Sequence, residues 1–98
     1  MKCIEEGHIY KLNNCETSQA QELNFIKRTE GALVHDGTTN EEVLAMMIDR
    51  MKYLNSKIPC RENSIVITKL EESLMWLNKR TELRIAQGVE TFDKPHKS

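Results

Sequence analysis

Glycine and proline are scarce in this chain, four and two among 98 residues, and neither occurs between Arg61 and Ala86. Nothing in that stretch stops a helix. Long apolar runs are missing too, none approaching the roughly 18 residues of a membrane span. The start MKCIEEGHIY lacks the apolar centre of a secretory signal. An excess of one charge is absent as well: Lys and Arg number 14 against 15 Asp and Glu. No global field draws in DNA or RNA, so an anionic ligand has to be small and met by a local cluster. Cysteine is limited to Cys3, Cys15 and Cys60, an odd number without repeating spacing. That excludes a disulfide framework and argues for free thiols in a reducing compartment. His8, His35 and His96 are scattered, and no Cys lies three or four residues from another Cys or a His, so metal-ligand spacing is lacking. No glycine-rich phosphate loop is present. These absences predict a soluble, cytosolic protein without a recognisable catalytic centre.

What is present is helical in its second half. After Pro59 and Cys60, about 26 residues from Arg61 to Ala86 read as one helix of roughly 39 Å, closed by Gln87-Gly88. Ile67, Leu70, Leu74 and Leu77 recur at helical spacing, with Leu83 further on. A chain this small buries a modest fraction of its surface, and so long a helix needs another chain to cover it. A shorter helix precedes it. Thr39 and Glu42 form a capping box, and Val43, Met47, Met51, Leu54 and Ile58 make the main stripe, widened by Leu44 and Ile48. Pro59 ends the hydrogen-bond ladder.

The first third reads as strands. Gly7–Leu12 precedes the turn signal Asn13-Asn14, Glu22–Arg28 is a second candidate, and Ala32–Val34 is a short third. Ser18–Glu22 is either strand or a helical turn. Asp36-Gly37 marks a tight turn before the helices. The expected fold class is α+β: a small N-terminal antiparallel sheet of two or three strands, then two main helices, the second long and oligomer-forming. The chain is expected to be one domain, 1–98, with a frayed tail 88–98 that carries Pro95.

Glu71-Glu72 read as solvated helix positions, Met46, Met47, Met51 and Met75 as core, and Tyr53 and Trp76 by default as core or interface aromatics. The polar residues of the long helix say more. Arg61 and Thr68 are seven apart and share a face, either as one opening or as ordinary surface. Asn63 and Arg80 are roughly 25 Å apart along the axis, so one small ligand cannot touch both within a straight helix. An antiparallel pair of such helices could bring Asn63 of one chain near Arg80 of its partner.

Three pieces carry a family resemblance: Thr39-Asn40-Glu41-Glu42-Val43-Leu44 with Ile48-Asp49-Arg50; Cys60-Arg61-Glu62-Asn63; and Thr68-Lys69-Leu70-Glu71-Glu72 with Met75-Trp76-Leu77-Asn78-Lys79-Arg80-Thr81. In that order, from about Gly37 to Gly88, the chain resembles the phage Thoeris anti-defence sponge proteins and, more distantly, the anti-CBASS sponges. The resemblance implies a non-enzymatic protein, acting in the cytoplasm of the infected bacterial host. It would bind nucleotide immune signals and hide them without cleaving them. Its ligands would be cyclic ADP-ribose isomers and, as in several members, cyclic di- or trinucleotides. No cofactor is implied, and the assembly would be a dimer or hexamer. Carried over, Tyr53, Asn63 and Arg80 fall where the family binds the cyclic ADP-ribose isomer, with Arg28 a further contact. Arg61 and Thr68 would serve a separate cyclic oligonucleotide site. Arg84 lies one turn beyond Arg80 and outside the three matching pieces, so Arg80→Ala is expected to weaken binding far more than Arg84→Ala. A helical homo-oligomer without a nucleotide ligand is the alternative. A phosphodiesterase is a third reading, which commonly needs metal ligands that this chain lacks. Light scattering at micromolar concentration should give a multiple of 11.4 kDa; the monomer mass would refute the oligomer.

Overall fold

The computed structural model describes residues 1–87; the expected Gly88 stop and the tail 88–98 lie outside them. Five strands come first: β1 (Lys2–Glu5), β2 (Ile9–Asn13), β3 (Ala20–Asn24), β4 (Lys27–Thr29) and β5 (Ala32–His35). Two helices follow, α1 (Asn40–Lys57) and α2 (Arg61–Ala86). The described residues fall into two compact units that divide after Thr39. The expected α+β class, antiparallel strands and then two helices with the second long, is what the chain adopts.

In the first unit β1, β2 and β3 form an antiparallel sheet with β2 in the middle, and β4 and β5 form a separate ribbon. The turn into β2 closes through His8 N–H donating to the Glu5 carbonyl at 3.0 Å, with Gly7 at φ 77. The Asn13-Asn14 signal does mark a hairpin loop: Asn14 Nδ2 donates to Thr17 Oγ1, and Gln21 Nε2 donates back to Asn14 Oδ1, each at 3.1 Å. The segment Ser18–Glu22 resolves in favour of strand, which begins at Ala20.

The strand inventory needs two corrections. Lys2–Glu5 is a strand that was not foreseen, because four residues are too few to display an alternation. The expected strand Glu22–Arg28 is two strands, broken at Phe25 and Ile26. There the backbone bonds leave the ladder. Phe25 N–H donates to the His8 carbonyl, Ile26 N–H to the Thr38 carbonyl, and Thr38 N–H to the Asn24 carbonyl, at 2.7–2.9 Å. Gly37 makes this approach possible, since a Cβ there would lie 2.4 Å from the Asn24 oxygen. The ribbon turns through Glu30 (φ 52) and Gly31 (φ 82), the paired positive φ values of a two-residue hairpin. Glycine adopts this freely, whereas Glu30 does so at about 1 kcal/mol.

Side chains tie sheet and ribbon together. Glu5 of β1 pairs with Lys27 Nζ of β4 at 2.5 Å and lies 3.5 Å from His35 Nε2 of β5. That second contact is too loose for a hydrogen bond, and His35 Nε2, although buried, has no hydrogen-bond partner among the described residues. Tyr10 meets Phe25 edge-on, with centroids 6.0 Å apart.

The second unit is a helical hairpin. Thr39 takes the N-cap position of α1 and Glu42 its third residue, as the capping box requires. Ile58 and Pro59 carry the chain round to Cys60, whose sulfur accepts from Asn63 N–H at 3.4 Å and caps α2. Asn55 organises the corner: its Oδ1 accepts from Cys60 N–H at 3.1 Å and its Nδ2 donates to Ser64 Oγ at 3.4 Å. The expected apolar stripes face each other, but only Ile48 is buried; the others are half-buried, and Ile58 and Leu83 are exposed. Ile58 falls past the end of α1, in the corner.

The Lys27 hydrogen bond, helped by its charge and by the nearby histidines, lowers the Glu5 carboxyl below its ordinary 4.5 despite some desolvation. A lowered carboxyl stabilises above its unfolded value, and that contribution is lost as pH falls through the folded one. The urea midpoint of wild type should therefore fall more steeply than that of Glu5→Gln between about pH 5.5 and 3. Parallel curves would mean the pair is fully screened by solvent.

Candidate functional site

The helical hairpin carries five of the six expected ligand residues, and the ribbon carries Arg28 on β4. Tyr53 stands on α1 one turn before its end, with its side chain 60% exposed. The Lys57 ammonium lies 5.3 Å from the Tyr53 ring centroid, and Ser56 Oγ donates to the Tyr53 carbonyl at 2.6 Å. A tyrosine on a helix end with an open ring is unlike a core aromatic. Asn63 sits in the first turn of α2, half-buried. The Cys60 cap occupies its backbone N–H, and its side-chain amide makes no hydrogen bond among the described residues. That leaves both a donor and an acceptor on one amide.

Arg61 and Thr68 do come together. With Ser64, Ile65 and Lys69 they line a shallow depression of about 290 Å³. Thr68 Oγ1 donates its proton to the Ser64 carbonyl at 3.1 Å, so toward a ligand the hydroxyl acts as an acceptor. Asn63 and Arg80 do not come together. They sit on one continuous helix, roughly 25 Å apart along its axis.

The three expected arginines share one property. Among the described residues the guanidinium groups of Arg28, Arg61 and Arg80 have neither an ion pair nor a hydrogen bond, and Arg28 and Arg80 are half-buried. Nearby lysines behave differently: Lys27 is held by Glu5, and Lys52 by Glu71 at 3.2 Å. A half-buried guanidinium has lost part of its hydration without gaining an anion, and its planar fork suits a phosphate or carboxylate.

Two features were not foreseen. Arg84 is the most buried side chain described, at 3% exposure. The signal was available: Leu70, Leu77 and Arg84 are seven apart, as are Ile67, Leu74 and Thr81. The inward stripe thus continues through Thr81 and Arg84, and Leu83 lies off it. The other feature is a wide groove of about 810 Å³ on the hairpin, where Ala45 and Ile48 face Leu74, Met75 and Trp76. Met75 and Trp76 are more than half exposed there, against the expectation that Met75 is core. None of the six expected ligand residues lines it.

Residues 20–82, which include all six, match the model of a protein family described as "Acb2/Tad1, hairpin domain". A protein named "Thoeris anti-defense 1", from Bacillus phage SBSphiJ7, is 57% identical over 56 residues. That alignment covers 56% of this chain and 39% of the relative, so the chain spans about two fifths of the relative's length.

Arg84 also alters how a binding comparison has to be read. Truncating a buried arginine removes its packed stem together with its polar head, so the loss falls on the fold. Arg84→Ala should lower the urea midpoint clearly, whereas Arg80→Ala should leave it nearly unchanged. Equal midpoints would show that the burial of Arg84 contributes little.

Proposed function

This chain belongs to the Acb2/Tad1 hairpin-domain family, and on that premise we propose that it is a phage anti-defence protein. It binds cyclic nucleotide immune signals and sequesters them uncleaved in the cytoplasm of the infected host. The observation that carries this reading is the pair of half-buried guanidinium groups, Arg28 and Arg80, that lack any anionic partner among the described residues. A ligand phosphate supplies such a partner to either guanidinium as a charge-assisted, bidentate acceptor. The open ring of Tyr53 offers a stacking surface worth roughly 1–3 kcal/mol to adenine. The uncommitted Asn63 amide suits an adenine or ribose edge. Arg61 and Thr68, at their own depression, serve a separate cyclic oligonucleotide. None of these side chains is a nucleophile paired with a base, which fits a ligand that leaves intact.

The active form is a homo-oligomer. The exposed Met75, Trp76 and neighbouring apolar groups on the hairpin favour burial against a second chain. Because α2 holds Asn63 and Arg80 roughly 25 Å apart, they serve one ligand only across two chains. The protein is to be incubated with a cyclic ADP-ribose isomer, freed of excess and heat-denatured. Recovery of intact ligand is expected. No retained ligand would leave the helical oligomer without a nucleotide, and an altered product would indicate an enzyme.

The shared site has a sharper test. When Asn63→Ala and Arg80→Ala proteins are unfolded and refolded together, about half the dimers should be mixed. Each mixed dimer keeps one site with both wild-type residues, so up to roughly a quarter of all sites should recover tight binding. Subunit exchange, verified with a mass-tagged chain, without recovered sites would place the pocket within one chain.

A further inference from the structure

Lys57 has no ion pair or hydrogen bond among the described residues; the Tyr53 ring is the partner its ammonium does have, at 5.3 Å. The two residues are one turn apart at the C-terminal end of α1, both exposed. Such a contact holds the lysine loosely, at about 0.5–1 kcal/mol on an exposed surface. A purine on the same ring is worth roughly 1–3 kcal/mol, so the base displaces the ammonium. The displaced head, on a four-carbon stem anchored beside the ring, then has to find another partner. The atoms closest to a base stacked on Tyr53 are those of the nucleotide that carries it, and a phosphate is the group an ammonium binds best.

We propose that Lys57 is a further ligand-binding residue, whose ammonium rests on the Tyr53 ring in the free protein and transfers to a phosphate of the nucleotide that stacks there. The inference rests on the function proposed above and extends its site by a residue outside the six already named. It also gives the site a selection rule. An uncharged purine nucleoside displaces Lys57 from the ring and offers nothing in exchange, whereas a phosphorylated ligand compensates for the contact that it breaks.

A matched comparison exists within the same hairpin. Lys79 Nζ lies 5.9 Å from the Trp76 ring centroid, in the wide groove that holds none of the expected ligand residues. Lys57→Gln and Lys79→Gln each remove one charge from such a contact. With a cyclic ADP-ribose isomer as the probe, Lys57→Gln should weaken binding about three- to tenfold. Its affinity should also fall less than that of wild type as salt is raised from about 0.05 to 0.3 M. Lys79→Gln should match wild type in both. In the free protein the Lys57 ε-methylene protons should show an upfield ring-current shift that disappears as ligand saturates the site. A change confined to the fold would not produce that signature.

Wild-type affinity and salt response in Lys57→Gln, with binding lost in Tyr53→Ala, would overturn this inference and leave the proposed function standing. Tighter binding by Lys57→Gln would also overturn it, because the lysine would then only compete for the ring. Failure of the wild-type protein to bind the probe would overturn both.

Discussion

A helix of 26 residues packed against one of 18 cannot be covered by it, and that mismatch governs the hairpin. Every inward position of α2 from Ile67 to Leu77 has only part of its surface buried, and among the described apolar side chains Ile48 alone is buried, with 9% of its surface still exposed. At about 25 cal/mol per Å² of apolar surface, half-burial leaves much of the possible stabilisation unrealised. The hairpin therefore relies on its corner. Asn55 joins the end of α1 to the start of α2 through two polar contacts, with Cys60 N–H and Ser64 Oγ, in place of a large core. The sulfur cap on α2 is long at 3.4 Å, and the Asn55 amide compensates by holding the capping residue itself.

The same helix decides what a ligand site can look like. A straight α2 carries Asn63 at one end and Arg80 near the other, so length becomes separation. It also sorts the basic residues. Arg84 follows the apolar stripe inward and becomes part of the fold, while Arg80, four residues earlier, is left half-buried and without an ion pair or hydrogen bond among the described residues. Two arginines one turn apart thus have opposite standing, one structural and one available to an anion. Charge counting alone could not separate them.

Much of this was legible in the sequence, for identifiable reasons. The bounds of α2 followed from the missing glycine and proline, and those of α1 from the Thr39–Glu42 box and Pro59. Both are local signals, written in adjacent residues. The break in Glu22–Arg28 was not legible, because the groups that take over its hydrogen bonds belong to His8 and Thr38, more than ten residues away, and Gly37 lets the backbones approach. Strand β1 was hidden by its shortness. The depression shared by Arg61 and Thr68 followed from helical spacing alone. The burial of Arg84 could have been read from the seven-residue series with Leu70 and Leu77, had arginine been admitted to an apolar stripe. The open ring of Tyr53 depends on where α1 ends, and the family resemblance had to supply its meaning.

The separation of Asn63 and Arg80 along one rigid rod has a consequence for dose. If both serve one ligand, a lone chain holds only half a pocket, and complete pockets appear only as chains meet. At low protein levels their number grows with roughly the square of chain concentration, and it becomes proportional once assembly saturates. Such a protein would leave a faint signal untouched while it is itself rare, then remove that signal over a narrow range of expression. The steepness would come from the geometry of a helix, without any change of shape within the chain.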